Sequence, residues 1–454
     1  MTKGPTRLSI DNLTRLVEND EVDTVVVAIC DMQGRLQGKR IHAHHFLEEV
    51  VQNSTEGCAY LLAVDVDMNT VDGYAMSSWE TGYGDFVMHP DLSSLRYMSW
   101  HPRTVFCQAD LAWEDGSPVE ASPRRILDRQ VARLAERGWT GLAGTELEFI
   151  VFEDTYEEAW DKGYRGLRAA NRYNVDYSIL GTSRIEPLLS RIRREMTDSG
   201  MWVESVKGEC NLGQHEIAFR YDELVQKADE HVLYKTGARE IAAQEGCSIT
   251  FMAKYDQREG NSCHIHLSLR DADATPLFAG NGVHGTSELL GHFLAGMLAS
   301  VPDFTLLLAP NINSYKRFAD GSFAPTSMVW GRDNRTASFR LVGHGPSLRI
   351  ECRIAGGDVN PYLGLAALVA GGLHGVERGL ELPAEFTGNA YRSGAPRIPA
   401  TLTAAAERFG DSAVAREALG QEVVEHYLNM ARVELSAFES SVTDWERYRC
   451  FERL

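Results

Sequence analysis

The sequence predicts an α+β protein in two domains, and three features predict it. At 454 residues the chain is too long for one simple core. Short alternating strands occupy the beginning and run into the turn-rich stretch WEDGSPVEASP, which places a boundary near residue 115. Beyond it, strands bearing unusual polar pairs alternate with helices, and the last third, from Pro361, reads as mostly helical. The predicted domains are therefore 1–115 and 116–454.

In order along the chain, residues 8–20 read as a short helix with Asp11 as a cap. VDTVVVAIC and RLQGKRIH read as a hairpin across the turn DMQG, followed by a helix at Ala43–Gln52 and a strand at Ala59–Val66. GRLQGK lacks the glycine spacing of a phosphate loop. Asp67–Asp85, rich in glycine, acids and aromatics, predicts a long functional loop, and Thr104–Leu111 a closing strand. The second domain opens with a helix that Ser122 caps, Pro123 starts and Gly138 ends. Further helices are expected at Tyr221–Gln244 and Ser287–Ala299, and in LGLAALVAGGLHGVERGL, LTAAAERFG and QEVVEHYLNMARVELSAFES, with the turn-rich insert FTGNAYRSGAPRIP among the last of these.

Composition excludes several classes of function. A net charge of −19 argues against non-specific binding to nucleic acid or an anionic membrane. The N-terminal MTKGPTRLSIDN has no apolar leader core, and the apolar run at Leu363–Gly372 is too short and glycine-rich to span a bilayer. Eight cysteines without a CxxC pair read as reduced thiols, so a soluble cytoplasmic protein is expected.

Against this acidic background, the stretch from Asn313 to Leu363 gathers Arg317, Arg335, Arg340, Arg349 and Arg353 around Glu351. Arginine's rigid fork grips carboxylate and phosphate at two points, so anionic guests are implied. Four strand-like segments each put paired polar groups on one face. GTELEFIVF aligns Glu146 with Glu148 and turns Leu147 and Phe149 the other way. KGECNLGQHEIAF offers Glu209 and Glu216, NSCHIHLSL pairs His264 with His266, and LRIECRIAG aligns Arg349, Glu351 and Arg353. Carboxylates with a minority of imidazole form a hard donor set suited to Mg²⁺ or Mn²⁺. Metal beside converging arginines implies phosphoryl transfer, on a scaffold without a Walker or kinase-type glycine loop.

Together, and in this order, GTELEF, GECNLGQHEIAF, SCHIHLSL, NSYKRF, DNRTASFR and IECRIAGGDVNPYL resemble type I glutamine synthetase over nearly the whole chain. The resemblance implies a small N-terminal β-grasp domain, a large catalytic domain of antiparallel strands with helices, and a dodecamer of two hexameric rings. It implies two to three Mg²⁺ or Mn²⁺ per site, with Glu148, Glu209 and Glu216 holding one ion and Glu146, His264 and Glu351 a second. It places Arg340 and Arg349 on ATP phosphates, Arg335 on both phosphate and substrate, and Glu204, His266, Ser268 and Tyr221 on the nucleotide side. Arg317 and Arg353 resemble the clamp on the glutamate α-carboxylate. The implied reaction passes through γ-glutamyl phosphate to an amide.

Departures cluster on the amine side. Where the family carries a flap glutamate that binds and deprotonates ammonium, DGSFAP has Phe323, which accepts no proton. The family's glutamate-contacting Asn-Gly is Glu259-Gly260, and Pro346 stands where a basic residue would meet phosphate. The family's aspartate contributed by a neighbouring subunit is best matched by Asp72, with Asp65, Asp67 and Glu80 as rivals. Tyr391 does not match the adenylylation tyrosine. The pattern is similar to the γ-glutamyl-amine ligases, which use ethanolamine, polyamines or other alkylamines. The expected function is ATP-dependent ligation of L-glutamate to such an amine, with glutamine synthesis from ammonia as the alternative and a non-catalytic homologue as the minor one.

Overall fold

Two sheets carry the fold in a computed structural model that describes residues 7–454; residues 1–6, where the N-terminal stretch read for a leader begins, lie outside it. The first sheet uses β1 (Thr24–Cys30), β2 (Leu36–His42), β3 (Thr55–Cys58), β4 (Asp85–Pro90), β5 (Arg96–Tyr97) and β6 (Thr104–Ala112). Its order is β2-β1-β6-β4-β3, with β5 also on β6. β1 and β2 form the expected antiparallel hairpin, whereas β1 and β6 run parallel.

The second sheet uses β7 (Thr140–Phe152), β8 (Val203–Gly208), β9 (Gln214–Phe219), β10 (Asp222–Glu223), β11 (Ser248–Thr250), β12 (Cys263–Arg270), β13 (Trp330–Arg332), β14 (Phe339–Val342) and β15 (Arg349–Cys352). Its order is β13-β14-β15-β12-β7-β9-β8, with β10 and β11 also on β7. One face is apolar and packed: Leu147, Phe149, Ile217, Cys263, Ile265, Leu267, Phe339, Leu341 and Ile350 are all buried. The helices Leu224–Gln244, Glu288–Leu308 and Pro361–Arg378 supply much of the remaining core.

Several elements differ from the sequence reading, each for a local reason. Ser9, not Asp11, caps the first helix by accepting from the Asn12 amide, and Asp11 falls in its first turn. Ser122 occupies the cap position before Pro123 but makes no side-chain cap bond. Ala59–Leu62 is a tight helical turn instead of a strand; the strand is the preceding Thr55–Cys58, paired with β4. The helix expected from Tyr221 starts at Leu224, because Asp222 and Glu223 pair with Ala143 and Leu142 of β7.

The helix expected at Ser287–Ala299 runs on to Leu308 through Pro302. Burial of Phe304, Leu306, Leu307 and Leu308 outweighs the amide that the proline lacks. This helix, rather than Leu363–Gly372, is the longest apolar one: it is long enough to cross a membrane, yet most of it is buried inside the fold. It lies against Pro361–Arg378 with almost no spacing. A Cβ on Gly296 would stand 2.3 Å from the Gly371 carbonyl oxygen, so glycine is required there.

An ionic cluster ties the first sheet to the helices of the second. Arg124 is buried and reaches Asp229 at 3.1 Å, Asp91 and Asp110, while Tyr362 donates to Asp229 at 2.6 Å. Nearby, Arg96 and Lys227 converge on Glu230 at 3.2 and 2.6 Å. Buried ions persist only when paired, and removing one partner strands the others. Arg124→Met should therefore lower apparent stability by about 3 kcal/mol, read as a shift in the urea unfolding midpoint.

Candidate active site

Antiparallel register assembles the polar face. Glu148 lies opposite Glu216, and Glu146 lies opposite His264. His266 pairs across to Glu351, and Glu351 to Arg340. Because paired residues on neighbouring strands project to the same side, one face collects the carboxylates, imidazoles and arginines while the other is core. Glu209 joins from the turn after β8, so that oxygens of Glu148, Glu209 and Glu216 lie within 4.8 Å of one another. The same closeness links Glu146 and Glu351 with His266, and Glu146 and Glu216 with His264.

Distances show how the second group is held. His264 Nδ1 stands 3.3 Å from Glu146 and 3.7 Å from Glu351, and His266 Nε2 stands 2.9 Å from Glu146. His266, read as a nucleotide-side residue, thus also touches the carboxylate set. Glu148 accepts from Gln214 Nε2 at 3.0 Å and from the Ser262 amide at 2.7 Å, which fixes its carboxylate.

Charge crowding sets the protonation pattern. Burial, reinforced by the charges of Glu146 and Glu148 and opposed by Lys207, pushes the Glu216 carboxyl up to about 8. Burial acts against ionisation at Glu351 too, yet His264, Arg353 and His266 bring it down to about 2. Burial likewise opposes ionisation of Glu146, but hydrogen bonds and charge from His264 and His266 hold it well below the ordinary carboxylate range. His264 is depressed by burial and by Arg353. Buried carboxylates this close, with few donors among them, fit hard divalent cations. Glu148, Glu209 and Glu216 would hold one ion; around Glu146 the structure groups Glu351 with His266, and Glu216 with His264, so His266 joins Glu351 where His264 was expected.

Beside this face opens a cleft of about 470 Å³ lined by Gly144, Glu146, Glu204, Tyr221, His266, Ser268, Arg270 and Arg349. Five of the expected nucleotide-side residues, Glu204, Tyr221, His266, Ser268 and Arg349, meet there. Arg349 Nε donates to His266 Nδ1 at 3.1 Å. Arg340 bridges Glu351 at 3.0 Å and Asp333, outside the cleft lining. Arg335 is exposed; its carbonyl accepts from Arg353 Nε at 3.1 Å. Pro346 lines the cleft, and Arg270 donates to its carbonyl at 2.7 Å.

The residues read as the glutamate clamp are tied into the protein. Arg317 is only 2% exposed. Its guanidinium donates to the carbonyls of Arg353, Ile354 and Ala355 and to Ser262 Oγ. Arg353 is paired with Glu351. Gly260 leaves room for the Arg317 side chain, and the Glu259 carbonyl accepts from Asn211.

Phe323 is 54% exposed and has a left-handed φ of 59°. A bulky residue in that region marks strain of the kind found at functional loops. The neighbouring Ala324 carbonyl accepts from the Tyr391 hydroxyl at 3.1 Å, so the 386–399 insert backs this loop. Asp72 is exposed, and its carbonyl accepts from Asn429 of the chain's own helix Gln421–Ser440. Among the described residues, none of the contacts within the carboxylate face involves Asp72.

Two residues at the site escaped the sequence reading, Lys207 and Arg270, and Tyr391 enters it only as no match for the adenylylation tyrosine. Lys207 was legible as the same-face partner of Glu209 two residues on, but a lone lysine at that spacing carries little signal. Arg270 extends the alternation of His264, His266 and Ser268.

The family described as glutamine synthetase, catalytic domain, matches residues 120–450. The chain is similar to the gamma-glutamylethanolamide synthetase GlnA4 of Streptomyces coelicolor, at 62% identity over 447 residues, 98% of this chain and 96% of the relative. It is similar to the glutamate–isopropylamine ligase of a Pseudomonas species at 35% identity over 439 residues, 95% of this chain and 96% of the relative. Among solved structures it resembles a GmaS complex with ADP, with a TM-score of 0.85 and 26% identity, covering 97% of this chain and 99% of the other.

The raised Glu216 carboxyl has a sign that can be measured. Between its ordinary value of 4.5 and about 8, the folded chain holds a proton that the unfolded chain releases. Its contribution to stability therefore falls as pH rises through that window and is level above it. In EDTA-dialysed protein, the melting temperature of the wild type relative to Glu216→Gln should decline across that range; a pH-independent difference would remove Glu216 from the charged cluster.

Proposed function

The chain belongs to the glutamine synthetase family, and from that premise we propose that it joins the γ-carboxylate of L-glutamate to a small primary amine, ethanolamine foremost, at the expense of ATP. It is a glutamate–amine ligase. One combination carries the reading. The six residues read as metal ligands and the five arginines are present, with Pro346 in place of one basic residue, while the flap position that would take ammonium holds Phe323. The relatives named for ethanolamide and isopropylamine chemistry, both matched over nearly the full chain, support the choice of a carbon-bearing amine.

In this reading the cleft seats ATP, with Tyr221 and Glu204 toward the base and sugar and Arg349 toward the phosphates, and Arg340, outside the lining, would reach them beside Glu351. Divalent cations, Mg²⁺ or Mn²⁺, supply charge neutralisation on the transferring phosphoryl group when bound. A γ-carboxylate oxygen of glutamate attacks the γ-phosphorus and ADP leaves. The amine nitrogen then attacks the acyl carbon, expelling phosphate and forming the amide. Arg335 is exposed on the loop before β14, and in this reading it steadies the phosphoryl group in both steps. Arg317 and Arg353 order the strand end and loop against which glutamate lies, with Gly260 packed against the Arg317 side chain.

Phe323 gives the alkyl portion of the amine an apolar wall, which an acid at that position could not. The amine's proton passes to a carboxylate of the 65–80 loop, for which Asp72 of a neighbouring subunit is the candidate. That assignment presumes the family's double hexameric ring, a cytoplasmic setting, and domains 1–115 and 116–454. The turn-rich segment after β6, which ends at Ala112, supports the last of these.

Phosphate release with glutamate, ATP and Mg²⁺, run across ammonium, ethanolamine, putrescine, spermine and isopropylamine, tests the reading. Ethanolamine or another alkylamine should be preferred, and robust turnover with ammonium alone would sink it. Phe323→Glu should shift the ammonium-to-ethanolamine ratio of kcat/KM upward by about tenfold or more. Glu148→Ala should lower phosphate release by at least about a thousandfold with every amine.

A further inference from the structure

The strand register places a cation inside the carboxylate set. Lys207 of β8 lies opposite Glu216 of β9, and Glu216 lies opposite Glu148 of β7. The three side chains form one row on the polar face. The Lys207 ammonium is ion-paired with Glu209 and stands 3.5 Å from Glu216. Both partners belong to the trio whose oxygens converge within 4.8 Å. The lysine side chain is 25% exposed, and those of Glu209 and Glu216 are 14% and 6% exposed. This is unlike a solvated surface pair, whose contribution is small.

A second perch lies beside it. The Lys207 ammonium is 5.2 Å from the centre of the Tyr177 ring. That ring is exposed, and an aromatic face attracts an ammonium without using a carboxylate oxygen. A divalent ion entering between Glu148, Glu209 and Glu216 meets an ammonium already using two of those three carboxylates.

We propose that Lys207 is a built-in cation that competes with the divalent ion for Glu209 and Glu216. It weakens that ion's binding relative to the ion near His264, holds the metal-free site together, and gives up the carboxylates when the ion binds, keeping the Tyr177 ring that it already faces. The inference rests on the reading of the trio as a divalent-metal site. No ligand atom of Glu146, His264 or Glu351 is shared with Lys207 in the same way: that group is neutralised by Arg340, Arg353 and the two imidazoles. The asymmetry is in the charges themselves.

The test uses EDTA-dialysed full-length protein without nucleotide, titrated with Mn²⁺ and read by the electron paramagnetic resonance of free Mn²⁺. Wild type should show a tighter and a weaker class of sites. Lys207→Met should tighten the weaker class by roughly tenfold or more and leave the tighter class alone. The metal-free melting temperature of the variant should fall, and the Mn²⁺-loaded one should not.

A second measurement needs no variant. Lysine-directed acylation of wild type, mapped by mass spectrometry, should label Lys207 more with Mn²⁺ present than in EDTA. Affinities that ignore the substitution, or labelling that ignores Mn²⁺, overturn the competition. Wild type that binds no Mn²⁺ at all overturns instead the metal reading on which it stands.

Discussion

Glu148 faces Glu216 across two hydrogen-bonded strands, Glu146 stands two residues along the same face, and Glu209 and Glu351 close in from either side. Five carboxylates in overlapping clusters, mostly out of water, repel one another strongly in a medium of reduced dielectric. The rest of the catalytic half is arranged around that repulsion. His264 and His266 hold Glu146 ionised, His264, Arg353 and His266 do the same for Glu351, and Glu216 is left to take up a proton. The apolar reverse of the sheet keeps the strands in register, so the charges cannot spread apart.

The arginines divide accordingly. Arg353 and Arg317 are buried and saturated by Glu351 and by backbone carbonyls, which makes them struts of the site as much as ligands for a substrate. Arg349 stands at the cleft with one donor on His266, and so couples the carboxylate face to the nucleotide side. Arg270, at the end of the strand that carries His266, donates to the carbonyl of Pro346. Guanidinium groups suit both uses, because five donors in a fixed fork can serve a protein partner and an anion together.

The amine side is built differently. Phe323 sits on a loop held in a left-handed conformation that costs of order 1–3 kcal/mol for a non-glycine residue, and Tyr391 reaches in from a distant insert to hold the adjoining carbonyl. The tether holds the backbone beside Phe323, not its ring. In the proposed reading an aromatic side chain there favours amines that carry carbon, and its lack of acceptors leaves a bare ammonium ion poorly held.

The period-two patterns in GTELEFIVF, NSCHIHLSL and LRIECRIAG were enough to put Glu146 with Glu148, His264 with His266 and Arg349 with Glu351, since side-chain alternation is a local property of a strand. Helix caps and turns were less secure, as Ser9, Leu224 and Leu308 show, because packing moved the ends. What no local pattern contains is which strand lies beside which. The pairing of β7 with β12 joins residues 118 apart in the chain and brings His264 and His266 to Glu146, and Arg124 reaches Asp229, 105 residues on, to tie the first sheet to the helices of the second. The sequence by itself determined the chemistry available on each strand. The tertiary structure decided its neighbours, because non-local pairing is fixed by burial of the whole apolar face and not by any one segment.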